Sequence, residues 1–138
     1  MEAKELVELL NDDLETEFQS IVQYVRHVAT ISGAEFTSTV DELKLHLGQE
    51  LQHATALAEQ VSFLGGEPST CVPDVATTTD SRDALQADLA LETRQLERYR
   101  ERVQQATDLG LADVAEALRP LLTQTQEHVR DLTASLGR

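Results

Sequence analysis

The chain has 138 residues, 41% hydrophobic and 26% charged, which is enough to bury a core as one domain and unlike a disordered composition. Its net charge of −14 repels phosphates at long range, so nucleic acid and anionic membrane are poor partners while cations are attracted. The lone Cys71 cannot close an internal disulfide, no basic-then-apolar leader opens the chain, and no apolar run approaches the ~18 residues of a membrane span, so a cytoplasmic protein is expected.

A first helix is predicted over about residues 3–31, because Leu6, Leu10, Leu14, Ile21, Val25 and Val28 recur at helical intervals; Ser32-Gly33 ends it. The second runs over about 36–64, with Val40, Leu43, Leu47, Leu51, Ala54, Leu57, Val61 and Leu64 on one side and Gly65-Gly66-x-Pro68 as its stop. Residues 65–79 have the composition of an extended connection. A third helix, capped by Asp80 or Ser81, covers about 81–108 with Leu85, Leu89, Leu96, Tyr99 and Val103 inward, and Gly110 breaks it. The fourth covers about 112–136 through Val114, Leu118, Leu121, Leu122, Val129, Leu132 and Leu136. Pro120 should bend it or mark a late start; one helix with a bend is expected, with two shorter helices as the alternative.

Loop lengths give the topology. Short links make antiparallel hairpins of helices one and two and of helices three and four. The long middle link can travel the bundle, roughly 40 Å at 1.5 Å per residue. The expected fold is all-α, an antiparallel four-helix bundle with one long crossover between helices two and three.

The ionisable residues repeat. Glu17 is followed at +33 by Glu50 and at +36 by His53; Glu92 is followed at +33 by Thr125 and at +36 by His128. Tyr24 and Tyr99, the only tyrosines, each lie seven residues after Glu17 and Glu92. Glu50 and His53 are i and i+3, so both can meet one ion. Glu17, Glu50, Glu92 and Thr125 each stand three residues after a leucine of the apolar stripes, where an ionised group needs a partner. A divalent cation is the simplest partner for three glutamates and two histidines; such donors suit iron or manganese, and zinc also fits. His27, His46 and Asp12-Asp13 read as surface residues, with His46 a further possible ligand on the way in.

This pattern, with Leu10–Glu17, Gln23-Tyr24, Glu50-Leu-Gln-His53-Ala, Leu64-Gly-Gly-Glu-Pro68 and Asp88–Glu92, resembles the ferritin-like superfamily, most of all the bacterioferritin-type di-iron carboxylate proteins. The resemblance implies Glu17 and His53 on one iron, Glu92 and His128 on the other, and Glu50 between them. Tyr24 and Tyr99 would steady the glutamates. The second bridging glutamate is replaced by Thr125, and Glu127 could substitute for it only through a π-bulge. Leu51 stands where the haem methionine of bacterioferritins would be, so no haem is expected. The chain ends soon after His128, which speaks for a dimer or small homo-oligomer over a storage shell; no basic tail suggests DNA binding. The implied function is Fe(II) handling and oxidation by dioxygen or peroxide. The rival reading is a degenerate, non-catalytic bundle serving as a structural or partner-binding protein.

Overall fold

A computed structural model describes all of residues 1–138. It contains four helices: α1 (Ala3–Thr30), α2 (Thr37–Phe63), α3 (Ser81–Asp108) and α4 (Ala112–Ser135), with a short 3-10 turn at Ala34–Phe36 before α2. Their ends follow from local chemistry. Glu2 and Glu5 form a capping box on α1, and the Asp80 side chain accepts from the Asp83 amide, 2.9 Å, at the start of α3. Gly65 and Gly110 terminate α2 and α4's predecessor α3 with φ of 86° and 75°. The next residues, Gly66 and Leu111, donate back to Val61 and Ala106, which satisfies carbonyls the helix would otherwise leave open.

Cross-helix hydrogen bonds fix the directions. Along α1 and α3, Gln23 meets Asp88, Glu17 meets Tyr99 and Asp13 meets Arg102, an antiparallel register. Along α2 and α4, Thr39 meets Ser135 and His53 meets Gln124, again antiparallel. Since α1 also opposes α2 across their short link, α2 and α3 run parallel. The crossover permits this by lying along α1: Asn11 and Gln19 donate to the Glu67 and Asp74 carbonyls, and Ser69 donates to Glu15. At Gly66 the packing is close enough that a Cβ would sit 2.5 Å from Val7.

Two apolar clusters fill the ends of the bundle. One gathers Leu6, Leu10, Leu14, Leu57, Val114 and Leu118; the other gathers Phe36, Leu43, Leu85, Leu132 and Leu136. Fully burying each such side chain contributes about 1.5–3 kcal/mol. Between them lies a buried polar layer.

Several expectations are corrected. Val25 and Leu51, assigned to the core stripes, are exposed, because polar residues of the central layer take the inward positions beside them. His27, His46 and Asp13 are buried, not on the surface, and each has a partner on another helix. Pro120 neither splits nor delays α4, which is one continuous helix. The proline is exposed, where water can serve the Glu116 carbonyl it leaves without a donor. Glu127 is also exposed, and α4 has no π-bulge to turn it inward.

Candidate metal centre

All four helices send charged or imidazole side chains into the middle layer. Glu17, Glu50, Glu92, His53, His128 and Thr125 are each no more than 2% exposed. The geometry forms two groups that share Glu50. In one, the Nδ1 atom of His53 lies 3.8 Å from Glu17 and 3.5 Å from Glu50. In the other, Nδ1 of His128 lies 2.9 Å from Glu50 and 3.3 Å from Glu92. Within Glu17–Glu50–His53, and within Glu50–Glu92–His128, the donor atoms lie within 4.8 Å of one another.

Tyrosines hold the outer glutamates crosswise. The Tyr24 hydroxyl donates to Glu92, 2.9 Å, and the Tyr99 hydroxyl donates to Glu17. Burial first, and then the neighbouring carboxylates, push both phenols well above their ordinary pKa, so they remain donors. Gln95 adds a second donor to Glu17 at 3.1 Å.

The charge distribution is uneven. Burial, then the charges of Glu17 and Glu92, raise Glu50 well above the ordinary carboxyl range. Burial also pushes Glu17 up, but hydrogen bonding with Glu50, His53 and Tyr99 outweighs it and holds Glu17 low. In Glu92, His128 and Glu50 likewise overcome burial and keep the carboxyl low. Protonation is therefore favoured at Glu50 and opposed at Glu17 and Glu92. Even so, Oε2 of Glu17 and Nδ1 of His53 are buried without a hydrogen-bond partner, and Oε1 of Glu50 has beside it only the His128 Nδ1, 2.9 Å away. Orphaned oxygen and imidazole donors converging on one place are what a cation would satisfy, and this donor set fits iron.

Thr125 takes the place symmetric with Glu50 but adds no carboxylate. Its hydroxyl donates to the Leu121 carbonyl of its own helix, 2.7 Å.

The spacing seen in the ligands extends to residues that the sequence reading did not assign to the site. An offset of 75 residues relates Asp13 to Asp88, His27 to Arg102, Gln49 to Gln124 and each outer ligand to its mate. In space these pairs cross over. Arg102 grips Asp13 through two hydrogen bonds, 2.8 and 3.2 Å, while His27 Nδ1 lies 2.8 Å from Asp88. Burial raises the Asp13 carboxyl to about 7 against the pull of Arg102. Gln49 accepts from His128 Nε2 at 2.6 Å and Gln124 from His53 Nε2 at 2.7 Å. The repeated offset was the available signal for all of them. His46 breaks the symmetry, its mate being Leu121.

Known proteins resemble this chain over nearly its whole length. A bacterioferritin from Mycobacterium leprae is 23% identical over 134 residues, covering 96% of this chain and 84% of the relative. A nutrient stress-induced DNA-binding protein from Nostoc is 26% identical over 132 residues, covering 88% and 72%. A crystal structure of a ferritin-like, diiron-carboxylate protein from Bacillus anthracis superposes with a TM-score of 0.92 at 30% identity, covering 99% of each chain. A mycobacterial bacterioferritin superposes with a TM-score of 0.84 at 24% identity, covering 94% of this chain and 81% of that one, a likeness of fold. Residues 7–138 match the ferritin-like domain, and the chain belongs to that family.

Proposed function

We propose that this protein binds iron in the bundle centre and handles it by oxidising Fe(II) with dioxygen or peroxide. The observation that carries the reading is the convergence of buried donor atoms from Glu17, Glu50 and His53, of which Glu17 Oε2 and His53 Nδ1 lack any hydrogen-bond partner, beside the matching group of Glu92 and His128. The bacterioferritins among its relatives, and the diiron-carboxylate structure it resembles, support iron over other cations.

In this reading Glu17 and His53 hold one position, Glu92 and His128 the other, and Glu50 lies between. Bound iron would supply one-electron chemistry towards the oxidant, Fe(II) going to Fe(III) as the oxidant is reduced. The side chains do the rest. Burial favours the protonated form of Glu50, and a cation bound there would favour its carboxylate instead. Tyr24 and Tyr99 hold Glu92 and Glu17 by one oxygen each; the other oxygen of Glu17 has no hydrogen-bond partner, and that of Glu92 lies 3.3 Å from His128 Nδ1, the atom that would share its cation. The apolar clusters above and below keep bulk water from the layer.

The protein acts as a dimer or small homo-oligomer. Val22 and Val25 on α1 and Leu45 and Leu51 on α2 are exposed apolar residues, and a second copy of the same pair of helices would cover them. Gly48, between Leu45 and Leu51, leaves its Cβ space free within the chain, room for a close approach.

One observation favours a second reading. Thr125 is buried and spends its hydroxyl on its own helix, so a bridging carboxylate is missing, as in a bundle kept for structural or partner-binding purposes. An anaerobic Fe(II) titration followed by oxygen, with metal content and absorbance recorded, separates the two. Iron uptake and an oxygen-dependent absorbance change support the metal reading. No uptake of any divalent metal overturns it.

A further inference from the structure

We propose that Gln49 and Gln124 are positioning residues that hold the imidazoles of His128 and His53 in the one tautomer able to receive a cation; this rests on the metal reading above. Each amide oxygen lies within hydrogen-bond distance of the Nε2 of the histidine on the opposite helix, 2.6 Å for Gln49–His128 and 2.7 Å for Gln124–His53. An amide oxygen only accepts, so the neutral ring facing it carries its hydrogen on Nε2 and has its lone pair on Nδ1.

The Nδ1 atoms are the ones turned towards the glutamates. That of His53 is buried with no hydrogen-bond partner, 3.5 Å from Glu50 and 3.8 Å from Glu17. That of His128 is 2.9 Å from Glu50 and 3.3 Å from Glu92, carboxyls that would face the same cation. Without the glutamines the opposite tautomer gains on both counts. Nε2 would no longer need to donate, and a hydrogen on Nδ1 could donate to a carboxylate. That hydrogen would point along the direction a cation must use.

The choice of glutamine has a charge consequence. Three glutamates already share the layer, and an amide fixes the ring without adding a fourth negative charge beside it. The arrangement is also reciprocal. Helix α2 supplies Glu50 and His53 as donors together with the amide that sets the ring of α4. Helix α4 supplies His128 together with the amide that sets the ring of α2. Both glutamines are half-buried at the outer edges of rings that are themselves 1% exposed, so each also stands between an imidazole and solvent.

The test uses the full chain labelled with 15N at histidine, free of metal and brought to a pH above which the ring nitrogen signals no longer change. Long-range proton–nitrogen spectra then read each tautomer. In the wild type both His53 and His128 should carry hydrogen on Nε2. Gln124→Met should move His53 towards the Nδ1–H form and leave His128 alone, and Gln49→Met should do the reverse. Gln49→Glu and Gln124→Glu, which keep an acceptor, should retain Nε2–H. Zinc titration by calorimetry should show affinity about tenfold weaker in each methionine variant. A wild type with hydrogen on Nδ1, or methionine variants whose tautomers stay put, would overturn the assignment. Should a methionine variant not fold, the wild-type and glutamate spectra decide. Tautomers that respond as expected in a protein taking up no metal would sustain the positioning role and sink the metal reading instead.

Discussion

The imidazole of His46 stacks on that of His128, with ring centroids 4.0 Å apart and planes 26° from parallel. Its Nδ1 lies 3.4 Å from the Tyr24 hydroxyl and its Nε2 3.0 Å from Asp131, so one ring ties α2 to both α1 and α4. Only the Glu92–His128 half of the centre has such a ring, since Leu121 stands at the related position. Replacing His46 with the residue its mate uses, His46→Leu, should lower the unfolding free energy by about 1 kcal/mol through the lost hydrogen bond to Asp131. Urea denaturation of the metal-free protein measures it; an unchanged midpoint would mean that the stack is incidental.

The buried carboxylates make the metal-free centre a source of instability that a cation should remove. Iron or manganese at about a hundred times its dissociation constant should stabilise the fold by about 2.7 kcal/mol, raising the melting temperature by roughly 5–10 °C. Because Glu50 titrates above its unfolded value, the metal-free protein gains from its protonated form at low pH and loses that contribution as pH rises. Glu50→Gln should therefore melt higher than wild type without metal at pH 8, and should no longer respond to metal. Calorimetric scans of both proteins with and without Mn(II) decide it, and a variant that melts lower without metal contradicts the account.

Restoring a carboxylate at the symmetric position should complete the ligand set. Thr125→Glu is expected to raise bound iron towards about two per chain, the stoichiometry of di-iron carboxylate bundles, and to speed oxygen-dependent oxidation. Metal analysis after desalting and stopped-flow absorbance provide the measurements. Equal stoichiometry and rate in both proteins would place residue 125 outside the centre.

Asp13 and Arg102 form a buried pair whose energetics depend on pH. The Asp13 carboxyl titrates near 7 when folded, against 3.8 as its ordinary value. The folded chain thus binds the proton more tightly between those values. The contribution is fully present below about 4 and is lost as pH rises to about 7. The double replacement Asp13→Leu with Arg102→Leu lacks this slope, so its stability relative to wild type should improve between pH 5 and 8. Replacing Asp13 alone should cost about 3 kcal/mol, because the buried guanidinium loses its two short hydrogen bonds and keeps only Glu101 at 3.5 Å and Gln105 at 3.3 Å. Denaturant unfolding of the three proteins at both pH values tests the sign and the size.

Much of this molecule could be read from its residues in order. Helix limits, the long crossover and the spacing of Glu17, Glu50, His53, Glu92 and His128 are local or periodic properties. A 3.6-residue period and a glycine stop act whatever the rest of the chain does. The same holds for Tyr24 and Tyr99, whose places in the repeat pointed to the glutamates they meet. What the tertiary structure decided is which isolated polar residues are buried. Asp13 looks like half of a solvated acidic pair until Arg102, 89 residues away, is brought against it. His27 looks like a surface histidine until Asp88, 61 residues away, meets its ring. The cost of burying such a group depends on its partner, and the partner depends on which helices pack together. A helical period cannot supply that, because a polar residue facing a matched partner and one facing water leave the same pattern in the sequence.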